Sequence, residues 1–180
     1  MDKEERDKKI REKIEEEEQL EQVRLEGVKE WVWDILLNVK HFRPEEIQID
    51  PHFNLEMSDC EAIASIDYVI NLNSTTVMAI KCSSSALESW ERYIKALARV
   101  VLDYQIPYAM VTDGETVRVF DIVSGSVVSN SVQELFSREE ALKRIEGFEK
   151  TPFPKEKSER EKRIVYAFEG IKCPISGGKS

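Results

Sequence analysis

Two ionisable residues stand in apolar runs where a charge is costly. Ile63-Ala64-Ser65-Ile66-Asp67-Tyr68-Val69-Ile70-Asn71 reads as a strand, Leu72-Asn73-Ser74 as a tight turn, and Thr75-Thr76-Val77-Met78-Ala79-Ile80-Lys81 as a second strand. Asp67 interrupts the first arm and Lys81 closes the second. Burying either charge is unfavourable unless it is paired or engaged in chemistry. Residue type leaves two roles open: a structural ion pair, or a carboxylate and an amine that share an active site. Parity sets a condition on both. Side chains alternate faces along a strand, so a plain two-residue turn at Asn73-Ser74 sets Asp67 opposite Ile80 and away from Lys81. For the two to meet, the connection must be odd-membered or bulged.

Several elements must hold this hairpin. Val28, Trp31, Val32, Ile35, Leu36 and Val39 make one apolar helical face, and the helix ends at Arg43-Pro44. Ile47-Gln48-Ile49 and His52-Phe53-Asn54-Leu55 alternate as a first strand, with Pro51 marking an edge or bend. After the hairpin, Ser83-Ser84-Ser85 offers N-cap hydroxyls to a helix over Ala86 to Tyr104, with Glu88 as capping-box partner. Its buried stripe is Leu87, Trp90, Ile94, Leu97 and Val101; Arg92, Lys95 and Arg99 lie elsewhere on its surface, a solvated face or one that touches phosphates. Ile106 to Thr112, the Asp113-Gly114 turn and Thr116 to Asp121 read as a further hairpin. Ser137-Arg138-Glu139-Glu140 is a capping box for a short helix, and Ser158 to Glu169 a last one. Ile175 to Ser180 is expected to be loose. A crossover helix between strands gives an α/β fold with a mixed β-sheet flanked by helices.

Composition narrows the function classes. The 180 residues carry a net charge of −9, which argues against general electrostatic binding of nucleic acid. Met1 to Gln22 holds ten acidic and six basic residues, with Ile10 and Ile14 its apolar residues before Leu20, and predicts a solvated, projecting helix. No apolar run approaches the ~20 residues of a membrane span, so a cytoplasmic protein is expected. Cys60, Cys82 and Cys173 form no CxxC and no Cys/His cluster, so spacing supports neither a disulfide framework nor a zinc site. Cys82 reads as a small buried residue. The chain divides into a charged helical extension (1–22), an α/β core (23–130) and a C-terminal helical extension (131–180).

The element order and the pieces Glu21-Gln22-Val23-Arg24, Ile66-Asp67-Tyr68-Val69-Ile70, Val77-Met78-Ala79-Ile80-Lys81 and Pro107-Tyr108-Ala109-Met110-Val111-Thr112-Asp113-Gly114 resemble a known family. It is the N-terminal nuclease domain of type I restriction enzyme R subunits, in the PD-(D/E)xK restriction-endonuclease-like superfamily. The resemblance covers roughly Gln22 to Asp121. It implies Mg²⁺-dependent hydrolysis of DNA phosphodiesters, since hard carboxylate oxygens bind Mg²⁺ and the metal stabilises charge on the phosphate. Residue by residue it implies Asp67 as metal ligand, Lys81 as the group orienting water, and Glu21 as the helix glutamate. The second strand acid falls on Ala79, which has no oxygen to offer. Glu88 and Glu91 are then the substitute metal ligands, with Glu56 behind them. The glutamine the resemblance implies on the crossover helix is absent, and Arg92 or Lys95 occupies that region. Two functions follow: hydrolysis weakened or lost, or a non-catalytic DNA- or protein-interaction module. Partners are expected to be DNA, or a protein or second copy held through the terminal helices.

Overall fold

The computed structural model describes residues 2–85 and 87–169, so Ile175 to Ser180 lie outside the described residues. The elements are α1 (Lys3–Asp34), β1 (Ile47–Ile49), β2 (His52–Glu56), β3 (Glu61–Ser65), β4 (Tyr68–Leu72), β5 (Thr75–Cys82), α2 (Leu87–Val100), β6 (Tyr108–Thr112), β7 (Val117–Asp121), β8 (Val127–Ser129), α3 (Arg138–Arg144) and α4 (Lys155–Glu169). The expected α/β class holds. A six-stranded mixed sheet runs β1-β4-β5-β6-β7-β8, and β2 pairs with β3 in a separate two-stranded sheet. β5 and β6 are parallel, joined by α2 as the crossover.

The charged N-terminal stretch and the apolar helix after it form one continuous helix. At 32 residues α1 is about 48 Å long. Its buried residues, Val28 and Val32, lie in its last third, while Ile10, Ile14, Leu20 and Val23 stay exposed. A π-helical turn at Ile35–Val39 ends it, placing Leu36 fully in the core before Pro44. α1 crosses the β6–β7 turn closely. A Cβ on Gly114, whose φ is +93°, would lie 3.3 Å from Val28 Cγ2. Asp113-Gly114 thus serves both the turn and the helix approach.

The sheet separates two apolar layers. Tyr68, Ile70, Met78, Ile80, Met110 and Val119 pack with α1 and α3. Val69, Ala79, Ala109, Val111 and Phe120 pack with α2 and α4. This two-sided burial explains the unbroken apolar runs of β4, β5 and β6. α2 ends at Val100, four residues before the expected Tyr104, and the Tyr104 hydroxyl accepts the Thr76 N–H at 2.8 Å. The capping box at Ser137 and Glu140 forms as the sequence predicts.

Two corrections concern the central hairpin. The arm Ile63–Asn71 is two strands, with Ile66-Asp67 as the break: β3 belongs to the small sheet and β4 to the large one. The first strand is likewise divided at Asp50-Pro51. Yet the register runs through both breaks, since Ile49 faces Tyr68 and His52 faces Ser65. One long ladder therefore folds over at Pro51, which has no N–H to give it.

The turn Asn73-Ser74 has both residues at positive φ, 48° and 64°, the type I′ pattern. Ser74 bears the left-handed conformation at a cost that glycine avoids. Ser74→Gly is expected to raise stability by about 0.5–1 kcal/mol, read from urea unfolding.

Candidate functional site

The parity condition is met by a bulge. Leu72 faces Thr75 and Asn71 faces Thr76, then the register shifts so that Ile70 faces Met78, Val69 faces Ala79 and Tyr68 faces Ile80. Val77 is the extra residue. One step further, Asp67 faces Lys81, and Lys81 Nζ lies 3.9 Å from Asp67 Oδ2. The two residues singled out from sequence are therefore brought together at the end of the large sheet.

Asp67 is buried and fully engaged. Its Oδ2 accepts the Cys82 N–H at 2.6 Å, and Oδ1 receives Lys29 Nζ at 3.1 Å. The Asp67 backbone donates to Ile80 O and accepts from the Asp50 N–H. Lys29 also reaches Asp50 at 3.5 Å, so the cluster is two carboxylates and two ammonium groups. Lys81 is held from its other side by the Trp90 ring, 4.5 Å from Nζ. Tyr68 donates its hydroxyl to Lys29 O at 2.8 Å and stacks beside Trp33, fixing α1 over the site.

Lys29 is the residue that sequence reasoning missed. It follows Val28 and precedes Val32 on the helix face that packs on the sheet, an unusual place for a lysine without a carboxylate to meet. Burial disfavours its ammonium, but Asp67 and then Asp50 more than offset this and raise its pKa above the ordinary 10.5. Burial pushes the Cys82 thiol well up, with Asp67 adding to it, as suits a structural cysteine. Cys60, by contrast, is disulfide-bonded, which corrects the expectation that cysteine spacing supports no disulfide.

The remaining predicted residues lie elsewhere. Glu21 is exposed on α1, eight residues or about 12 Å of helix before Lys29. Glu91 pairs with Arg118. Because Lys81 faces Val111 and Val111 faces Arg118, that pair stands two strands away from Lys81. Glu88 is exposed on the α4 side of α2, where it lines a groove with Phe168. Glu56 is exposed at the tip of the small sheet. Ala79 has no exposed surface and lies between Val69 and Ala109.

A protein-held Mg²⁺ requires several hard oxygens converging on one point. Here the oxygens of Asp67 are taken by Lys29, Lys81 and a backbone N–H, and Ala79 contributes none. Among the described residues no group of three or more His, Cys, Asp or Glu is placed so that it could hold a metal ion. The residues present do not fit that ion.

The family model for the type I restriction enzyme R protein N terminus matches residues 25–136. The chain belongs to this family. The matched span includes Lys29, Asp67, Ala79, Lys81 and Glu91; Glu21 precedes it and α4 follows it. No curated protein and no solved structure matches the chain. No helix among the described residues of this R-protein family member is long and apolar enough to cross a membrane.

The geometry orders three substitutions. Asp67→Asn strands two partly buried ammonium groups and is expected to cost about 3 kcal/mol. Lys29→Met should cost less, and Lys81→Met least, since its contact is the longer and Trp90 remains to cover the stem. Urea unfolding checks the order; a larger loss for Lys81→Met than for Lys29→Met contradicts it. A raised lysine pKa gives stability that is complete below the unfolded value and lost as pH rises through the folded one. The Lys29 contribution is therefore expected to persist through pH 10.5 and fade above it. Lys29→Met should remove that alkaline component from the stability–pH curve.

Proposed function

We propose that the chain is a divergent PD-(D/E)xK-type domain in which metal-dependent hydrolysis of DNA phosphodiesters is weakened or lost. On this reading the scaffold serves as a DNA- or protein-interaction module. One observation carries the reading: the carboxylate at Asp67 is satisfied by Lys29 and the Cys82 N–H, while the position two residues before Lys81 is an alanine. A nuclease of this type needs a carboxylate free to bind metal and a second acid beside it. Lys29 supplies a fixed positive charge where the cation would supply one. An ammonium balances Asp67 without the Lewis acidity by which a metal ion activates water, so the cluster favours architecture over hydrolysis.

The assay is direct. Purified wild-type protein incubated with supercoiled and linear DNA in Mg²⁺ or Mn²⁺ is expected to leave the DNA intact. Neither ion should raise the thermal midpoint beyond its effect on Asp67→Ala. Metal-dependent cleavage that disappears in both Asp67→Ala and Lys81→Ala would overturn the proposal and restore the hydrolytic reading.

A further inference from the structure

α2 carries Arg92, Lys95 and Arg99 at i, i+3 and i+7, which projects all three from one side of the helix. α4 lies along that side, with Ile164 and Val165 packed in the α2 layer. Arg99 Nη1 reaches Glu161 Oε2 at 3.2 Å and ties the two helices together. Between them is a cavity of about 220 Å³ lined by Arg92, Lys95, Arg99, Arg160, Glu161 and Ile164. Four cationic side chains thus line the cavity with one carboxylate; that carboxylate is already bonded to Arg99, and the Lys95 ammonium lies 4.1 Å from the Phe120 ring. No carboxylate of the described residues pairs with Arg92 or Arg160, and both are exposed.

This concentration of positive charge runs against a chain whose net charge is −9. Like charges gathered in a concave site repel one another, and an anion relieves that repulsion. Arginine forks suit phosphate oxygens, which they can engage in pairs. The cavity continues into a second groove through Arg92 and Ile164, which Glu88 also lines and where Phe168 lies 5.4 Å from Trp90 and is 37% exposed. An exposed aromatic ring next to a cationic pocket matches the two halves of a nucleotide, a base and its phosphate. α4 follows the family-matched residues 25–136, so the groove is built partly from sequence that the family model does not cover.

We propose that the α2–α4 groove binds nucleotides, with phosphate among Arg92, Lys95, Arg99 and Arg160 and the base against Phe168. The groove shares no lining residue with the Asp67 cluster, although Phe168 packs on the Trp90 ring that covers Lys81, and it does not depend on whether that cluster hydrolyses anything. A free nucleotide and a single-stranded polynucleotide share this chemistry, and the experiment tells them apart.

The full chain is titrated with fluorescein-labelled oligothymidine by anisotropy and with ATP by tryptophan fluorescence, both at low salt. Arg92→Glu and Arg160→Glu are compared with Lys13→Glu, the same charge change on the exposed part of α1. Circular dichroism melting confirms that each variant is folded. At least one ligand is expected to bind, with a Kd raised tenfold or more by each groove reversal and unchanged by Lys13→Glu. For the oligonucleotide, log K should fall against log salt by about 0.7 per phosphate engaged. ATP binding that competes with the oligonucleotide identifies the free nucleotide as sufficient; oligonucleotide binding indifferent to ATP identifies the polynucleotide. Absence of binding to the wild type overturns the proposal. So does binding that the groove reversals weaken no more than Lys13→Glu does.

Discussion

The arrangement depends on keeping one buried carboxylate satisfied. Asp67 sits where a long antiparallel ladder folds over, and that break takes its side chain out of the strand alternation. Three elements then converge on it. β5 gives the Cys82 N–H and Lys81, α1 gives Lys29, and the β1–β2 corner gives the Asp50 N–H to its carbonyl. A buried carboxylate missing these partners would be strongly unfavourable, so its needs fix the rotation of α1 and the shift in the β4–β5 register. Tyr68 adds a second tie between the sheet and α1 at the same place.

Much of this was legible because strand parity is a strict rule. Asp67 and Lys81 in arms joined at Asn73-Ser74 could meet only through an odd count, and the extra residue is Val77. The break at Ile66-Asp67 was harder to read. Ile63 to Ile70 is continuously apolar apart from Ser65 and Asp67, and no Gly or Pro interrupts it. The signal lies on the other strand, where Pro51 has no N–H to give the ladder and Asp50 takes a φ of 47°. Lys29 was obscured by its position among apolar neighbours on a charged helix. Charge patterning along α1 pairs residues within the helix and says nothing of a partner 38 positions later in the chain.

Family membership and site chemistry point different ways, and the difference is local. The sheet order, the crossover α2 and the Asp67–Lys81 proximity are present in a chain belonging to the type I restriction enzyme R protein N-terminus family. Ala79 is closed into the α2 layer, and Glu91 is committed to Arg118. Charge is also distributed with some order over the molecule. Acid predominates along the exposed part of α1, whereas four cations gather between α2 and α4. A fold can retain its geometry while function moves to another surface.

The central claim is that Asp67 is held by protein donors and is closed to metal. Backbone amide NMR with added Mn²⁺ tests it at the bond itself, because the Cys82 N–H lies against Asp67 Oδ2. The account predicts a slowly exchanging Cys82 amide whose signal keeps its width through stoichiometric Mn²⁺. Selective broadening of Cys82 and Lys81 at that ratio, absent in Asp67→Asn, would contradict it.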